Sequence, residues 1–199
     1  MAKIGDEARF LAYDLREMQT DRAVASFGSG WLFLCLALAA HVTDEAVTGF
    51  LNVYNPTVTE LRARYSWFPM PVFGFREWLV GLIGLVIILL LLTPFAMRGS
   101  SWMRPLAYFL AVVMILNGLG HTLGTVFGRT VITVHFARPM PGFYSSPLLL
   151  AAGFYLLYQL VSFTRCAPPT GAARGPSADH PTNRKLALRG GPAERNRSF

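Results

Sequence analysis

Ala40-His41-Val42-Thr43-Asp44-Glu45-Ala46 closes a run of ten apolar residues, Trp31 to Ala40. At spacing i, i+3, i+4, the ionisable side chains of His41, Asp44 and Glu45 share one face of a helix. The apolar run is only half of the roughly 20 residues a helix needs to cross a bilayer. Such a helix crosses only if it carries this polar turn with it. Ionisable groups at that depth are costly and face a protein interior or a wet cavity. The turn is the candidate site, and the remaining chain is its setting.

That setting is apolar. Of 199 residues, 53% are hydrophobic and 15% charged, against about 25% charged in a soluble domain. Four long apolar segments, at about 30–50, 78–97, 105–127 and 143–164, predict an all-α integral membrane four-helix bundle within residues 29–164. Residues 1–28 precede it as an amphipathic lead-in helix lying at the membrane interface, with Phe10, Leu11, Leu15 and Met18 at helical spacing. Phe27-Gly28-Ser29-Gly30 reads as a break between this helix and the first span. The lead-in is too long and too polar for a cleavable signal, so the first span is expected to act as an uncleaved anchor. Residues 165–199 are rich in Pro, Gly, Ala, Ser and Arg and read as a disordered tail. Cys35 reads as a small buried residue, with no disulfide to Cys166.

The net charge is +7. In a soluble protein this would suggest nucleic acid. Here the basic residues cluster beside the ends of the apolar segments, so the expected partners are membrane lipids and not nucleic acid. Four Lys and Arg lie in the N-terminal segment, two in the turn between spans 2 and 3 (Arg98, Arg104) and seven in the tail. The other two loops carry only Arg62, Arg64, Arg76, Arg129 and Arg138. The excess predicts a multi-pass protein of the cytoplasmic membrane with both termini cytoplasmic.

Between spans 1 and 2, residues 52–77 are rich in Pro, Tyr, Trp and Phe and read as an interfacial loop that folds back over the bundle. Span 2 has no ionisable side chain and is expected to be the most lipid-exposed helix. Span 3 carries Asn117 and His121 one turn apart, beside Gly120, Gly124 and Gly128 at four-residue intervals. That stripe lets a helix approach closely and would serve a homo-oligomer. The second loop, 128–142, holds a short strand-like piece, Val131–Val134, a solvated His135 and a Pro141-Gly142 that opens span 4. Spans 1 and 3 run in the same direction. By helical rise, His41 lies roughly 17 Å and His121 roughly 24 Å from the cytoplasmic end, with Asp44 and Glu45 between them in depth.

The matching depths suggest one site. His41, His121 and one carboxylate, taken as Glu45, form the donor set of catalytic zinc or non-haem iron centres. One divalent metal ion, zinc or iron, is the cofactor this implies, with Asn117 orienting His121. A metal-free alternative has His41, Asp44, Glu45 and His121 as catalytic acids and bases on a lipid or amphipathic substrate. Two further readings stay open: a proton or small-solute relay, and a buried polar knot that fixes helix register.

His41-Val-Thr-Asp44-Glu45, Asn117-Gly-Leu-Gly-His121 and Pro141-Gly142 together resemble the HXXEE-domain family of small multi-pass membrane proteins. The resemblance covers about Trp31 to Leu160 in motif order and spacing. It implies the helical membrane fold and supports pairing His41 with His121. It implies no reaction. Asp44 stands where the family has Glu, and Pro139-Met140 where a Tyr often precedes the Pro-Gly.

Overall fold

The computed structural model describes residues 2–166, so the tail from 167 onward, expected to be disordered, lies outside the described residues. Among the described residues all regular structure is helical: α1 (Ala2–Thr48), α2 (Leu51–Arg64), α3 (Phe75–Leu91), α4 (Thr93–Met97), α5 (Met103–Phe127) and α6 (Ser146–Cys166). Three stretches are long and apolar enough to cross a membrane: Tyr13–Thr48 within α1, Phe75–Met97 across α3 and α4, and Met103–Phe127 of α5. In α6 the apolar stretch Ser146–Ser162 is shorter. The Phe75–Met97 window is the least covered by the rest of the chain, 17% buried against 44% and 33% for the other two, as its uniform composition suggested.

The lead-in and the first span are one helix. The expected break at Phe27–Gly30 does not occur, because its glycines serve packing. A Cβ on Gly28 would lie 2.9 Å from Met97 Cα, so the backbone of α4 presses on α1 there. Gly30 faces Leu156 of α6 at ordinary contact distance. Between them and the site, Trp31 is fully buried. Its indole N–H donates to Leu89 O at 3.1 Å, a last-turn carbonyl of α3 with no partner inside its own helix.

Helix α1 ends three residues beyond Glu45. Gly49 takes the left-handed conformation, φ 77°, and Phe50 N–H returns to Glu45 O at 3.0 Å. This is a Schellman-type end, which a glycine permits without a Cβ clash. The chain then enters α2, where a loop was expected. Pro and aromatic content concealed a helix that contains Pro56 and buries Leu51, Val53 and Val58. The segment after α2 folds back onto α2 itself. Asn55 Nδ2 donates to Phe73 O at 2.9 Å, Phe73 N–H donates to Asn55 Oδ1 at 3.0 Å, and Tyr54 OH donates to Pro71 O at 3.1 Å.

The second expected span is interrupted at Leu92, between α3 and α4. Pro94 has no N–H to return to the preceding turn, which separates the two pieces. The strand-like Val131–Val134 is a turn: Thr130 N–H donates to Val134 O at 3.2 Å, and one isolated bridge joins Arg129 and His135.

Helix α1 packs against α3, α4 and α6, and α6 packs against both α1 and α5. The α5–α6 contact uses glycines outside the stripe singled out above. A Cβ on Gly118 would lie 3.2 Å from Ser146 O, and one on Gly153 3.2 Å from Ala111 O. Within the stripe, Gly124 is covered by Met140 and Gly128 by Arg138, both from the chain's own loop, and only Gly120 faces open space.

The two α1 glycines give opposite expectations. Gly28→Ala overpacks a backbone contact and should cost about 1–3 kcal/mol. Gly30→Ala has room and should gain up to about 1 kcal/mol from helix propensity. Unfolding of the purified variants in detergent reads both, and equal shifts would contradict the packing role of Gly28.

Candidate metal centre

Three helix ends meet at the candidate site. The last two turns of α1 supply His41, Asp44 and Glu45. The distal part of α5 supplies Asn117 and His121. The turn before α6 supplies Pro141, Gly142 and Ser145. The site residues are nearly inaccessible: His41 is 0%, His121 2% and Glu45 5% exposed. His121 Nε2 is 3.0 Å from Glu45 Oε1, and His41 Nε2 is 3.4 Å from the same oxygen. The imidazoles meet edge to face, centroids 4.7 Å apart. One ligand atom from each of His41, Glu45 and His121 lies within 4.8 Å of the others.

The outer nitrogens decide what the inner ones can do. His121 Nδ1 is 2.6 Å from Pro141 O. A carbonyl only accepts, so Nδ1 carries the proton and donates it there. His41 Nδ1 is 2.8 Å from Ser145 Oγ, and that hydroxyl donates its single hydrogen to Asp44 Oδ2 at 2.8 Å. His41 Nδ1 must therefore be the donor to Ser145. In both neutral rings the bare lone pair is on Nε2, and both lone pairs face the Glu45 carboxylate. His41 Nε2 accepts from the Asn117 amide at 3.4 Å, whereas His121 Nε2 and Glu45 Oε1 meet at 3.0 Å with no hydrogen of their own between them.

A proton held between His121 and Glu45 satisfies that contact, and a metal ion bound by the cluster would do the same. The donor chemistry fits a divalent metal, because imidazole with carboxylate suits zinc and non-haem iron. The two nitrogen–oxygen spacings, 3.0 and 3.4 Å, are close to those of a bound ion. Two ligands at about 2.0–2.1 Å from a tetrahedral ion are roughly 3.3 Å apart. The Nδ1–H bonds to Pro141 O and Ser145 Oγ are of the kind that fix tautomer and ring orientation in metal-bound histidines.

Two expected residues stand elsewhere. Asp44 does not join the cluster. Its Oδ2 accepts from Ser145 N–H at 2.8 Å as well as from the Ser145 hydroxyl, placing an anion at the start of α6 where free N–H groups favour it. Asn117 flanks His41 and not His121, with Nδ2 3.4 Å from His41 Nε2. Asn117 sits one turn from His121 and Asp44 directly beside Glu45, and depth along a helix does not reveal which neighbour a side chain faces. Ser145 was missed. A serine opening a helix is an ordinary cap in sequence, and only the meeting of α1 with α6 gives it His41 as a partner. His135 is exposed, as expected.

Gly142 explains the Pro-Gly pair. Its φ is 86°, and a Cβ there would lie 2.8 Å from His121 Nδ1 and 2.9 Å from Glu45 Cγ. Thr48 Oγ1 accepts Gly142 N–H at 3.1 Å, tying the turn to α1. Phe50 covers the cluster, its ring 5.4 Å from that of His121 and 6.0 Å from that of Trp78.

Beside the cluster, an open groove of about 500 Å³ runs along α5. Leu116, Leu123, Phe127 and Met140 make it apolar, and Asn117 and His121 form its polar wall. The groove borders the cluster at Asn117 and His121, and His41 and Glu45 lie behind that wall.

Comparison with known proteins finds no matching family model, no matching curated protein and no matching solved structure. The functional reading rests on the residues themselves.

Gly142→Ala should combine left-handed backbone strain with two clashes, a loss of about 2–4 kcal/mol in unfolding experiments. Gly120→Ala, where nothing lies within 4 Å of the new Cβ, should be neutral or slightly stabilising. A tolerated Gly142→Ala would show that the turn does not press on the cluster.

Proposed function

We propose that this chain is a membrane-embedded enzyme that holds one divalent metal ion, zinc or iron, at His41, Glu45 and His121 and acts on a lipid or amphipathic substrate. The observation that carries this reading is the convergence of His41 Nε2 and His121 Nε2 on one buried Glu45 oxygen, with both Nδ1 atoms hydrogen-bonded elsewhere. The apolar groove at His121 supports the substrate class. Three apolar stretches of spanning length support membrane insertion, with α6 as the fourth span and both termini on the cytoplasmic side. Kinship with the HXXEE-domain family is part of this proposal and rests on the three motifs alone.

When bound, the metal would supply Lewis acidity and lower the pKa of a coordinated water. The chain's own residues do the rest. Pro141 O and Ser145 Oγ hold the two rings as Nδ1–H tautomers. The Asp44–Ser145–His41 hydrogen bonds fix the His41 ring against the start of α6. Phe50 and Trp78 exclude water from one side. Transport is the weaker reading, because neither α1 between Arg22 and His41 nor α5 between Arg104 and His121 carries a charged residue or histidine.

Metal analysis of the full chain, purified in detergent after growth with zinc and iron supplied, tests the centre. About one ion per chain is expected, lost in His41→Ala and His121→Ala. Ser145→Ala should keep the fold and weaken metal affinity roughly 10- to 100-fold. Metal-free protein from every preparation would overturn the reading. The topology has its own test: a reporter fused after Phe199 should read as cytoplasmic, and an external signal would reverse the orientation.

A further inference from the structure

The groove along α5 is not uniform from end to end. Its inner part is apolar, but its outer lip is formed by Arg129 and Thr130. Arg138 joins the lip from the following loop: a Cβ on Gly128 would lie 3.0 Å from Arg138 Nε, so that guanidinium rests on the residue next to Arg129. Both arginines are exposed, and neither forms an ion pair among the described residues. The lip is held in place. Gly128 caps α5 with φ 68°, and the Thr57 and Thr130 hydroxyls share a hydrogen bond at 2.5 Å that ties the loop to α2.

Length gives the groove a scale. His121 lies eight residues before Arg129, roughly 12 Å along the helix axis. Leu116 lies about 7 Å further in. A volume of about 500 Å³ falls in the range of small-molecule sites, about 300–1,000 Å³. The groove is also open along its side, and exposed Leu116, Leu123 and Phe127 border it, so a ligand can enter from the flank of α5.

We propose that the groove binds a single-chain anionic amphiphile, with its head group on Arg129 and Arg138 and its chain along α5 past His121. This names the substrate class for the enzyme reading and deepens it. It also fixes the reacting position: the cluster faces the chain roughly 12 Å from the charged head, and not the head itself. Two guanidiniums recognise a carboxylate or phosphate head through charge-assisted hydrogen bonds, and the apolar wall recognises the chain without direction.

The test uses the full chain in zwitterionic phosphatidylcholine nanodiscs. The probes are a C18 fatty acid with a mid-chain diazirine and the matching fatty alcohol. The acid should bind roughly tenfold more tightly than the alcohol, the scale of one charge-assisted hydrogen bond. Arg129→Gln combined with Arg138→Gln should abolish that preference and leave alcohol binding unchanged. Gly120→Leu, which fills the groove from a position with open space, should block both probes while the metal content stays intact. Light should attach the acid to α5 between Leu116 and Gly124. Equal binding of acid and alcohol, an unchanged preference in the double variant, or labelling away from α5 would each overturn the proposal. The metal content of the same samples separates the two claims: metal-free protein that still prefers the acid sinks the metal centre and leaves the amphiphile site standing.

Discussion

Three hydrogen-bond acceptors face one another inside an apolar bundle, and the rest of the structure is arranged around that fact. His41 Nε2, His121 Nε2 and Glu45 Oε1 have no donor among themselves, and burial removes the water that would supply one. Left without a partner, a buried acceptor costs free energy, and here the Asn117 amide meets His41 Nε2 while the His121–Glu45 contact takes a proton or a metal ion. The surrounding bonds commit the histidines to that demand, because Pro141 O and the Ser145–Asp44 pair hold both Nδ1 protons on the far side of the rings. The same contacts suit a proton shared between His121 and Glu45 and a cation bound between the three residues.

Much of this was legible in the sequence. His41 and Glu45 at i, i+4 on an apolar helix had to share a face, and the depth argument put His121 on their level. Pro141-Gly142 joined them through motif order. Those inferences succeed because helical rise and periodicity are nearly fixed quantities. What rotation and tertiary contact decide was not legible. Asn117 turned out to face His41, and Asp44 capped α6 instead of joining Glu45, since adjacent residues on a helix point about 100° apart. Ser145 had no signal at all until α6 was placed beside α1.

The fold shows the same division. Apolar length located the long helices. Glycine and proline misled in both directions, because each has a local meaning and a packing meaning. Gly28 and Gly30 suggested a break and instead admit α4 and α6. Pro56 suggested a loop and lies inside α2. Pro94 was hidden in the most apolar segment and divides it. In each case the deciding partner lies far away in sequence: Met97 for Gly28, Leu156 for Gly30, and Phe73 for the Asn55 beside Pro56.

The continuity of α1 has a consequence for the site it carries. A helix behaves as a screw, and an advance of one residue turns every side chain by about 100°. His41 and Glu45 can therefore meet His121 in only one setting of that screw. With no hinge at Phe27–Gly30, the setting is shared by the whole helix down to Gly28, about 26 Å of axis below Glu45. The close approach of Met97 to Gly28 and the Trp31 bond to Leu89 thus act as the index marks of a dial whose pointer is the His41–Glu45–His121 cluster.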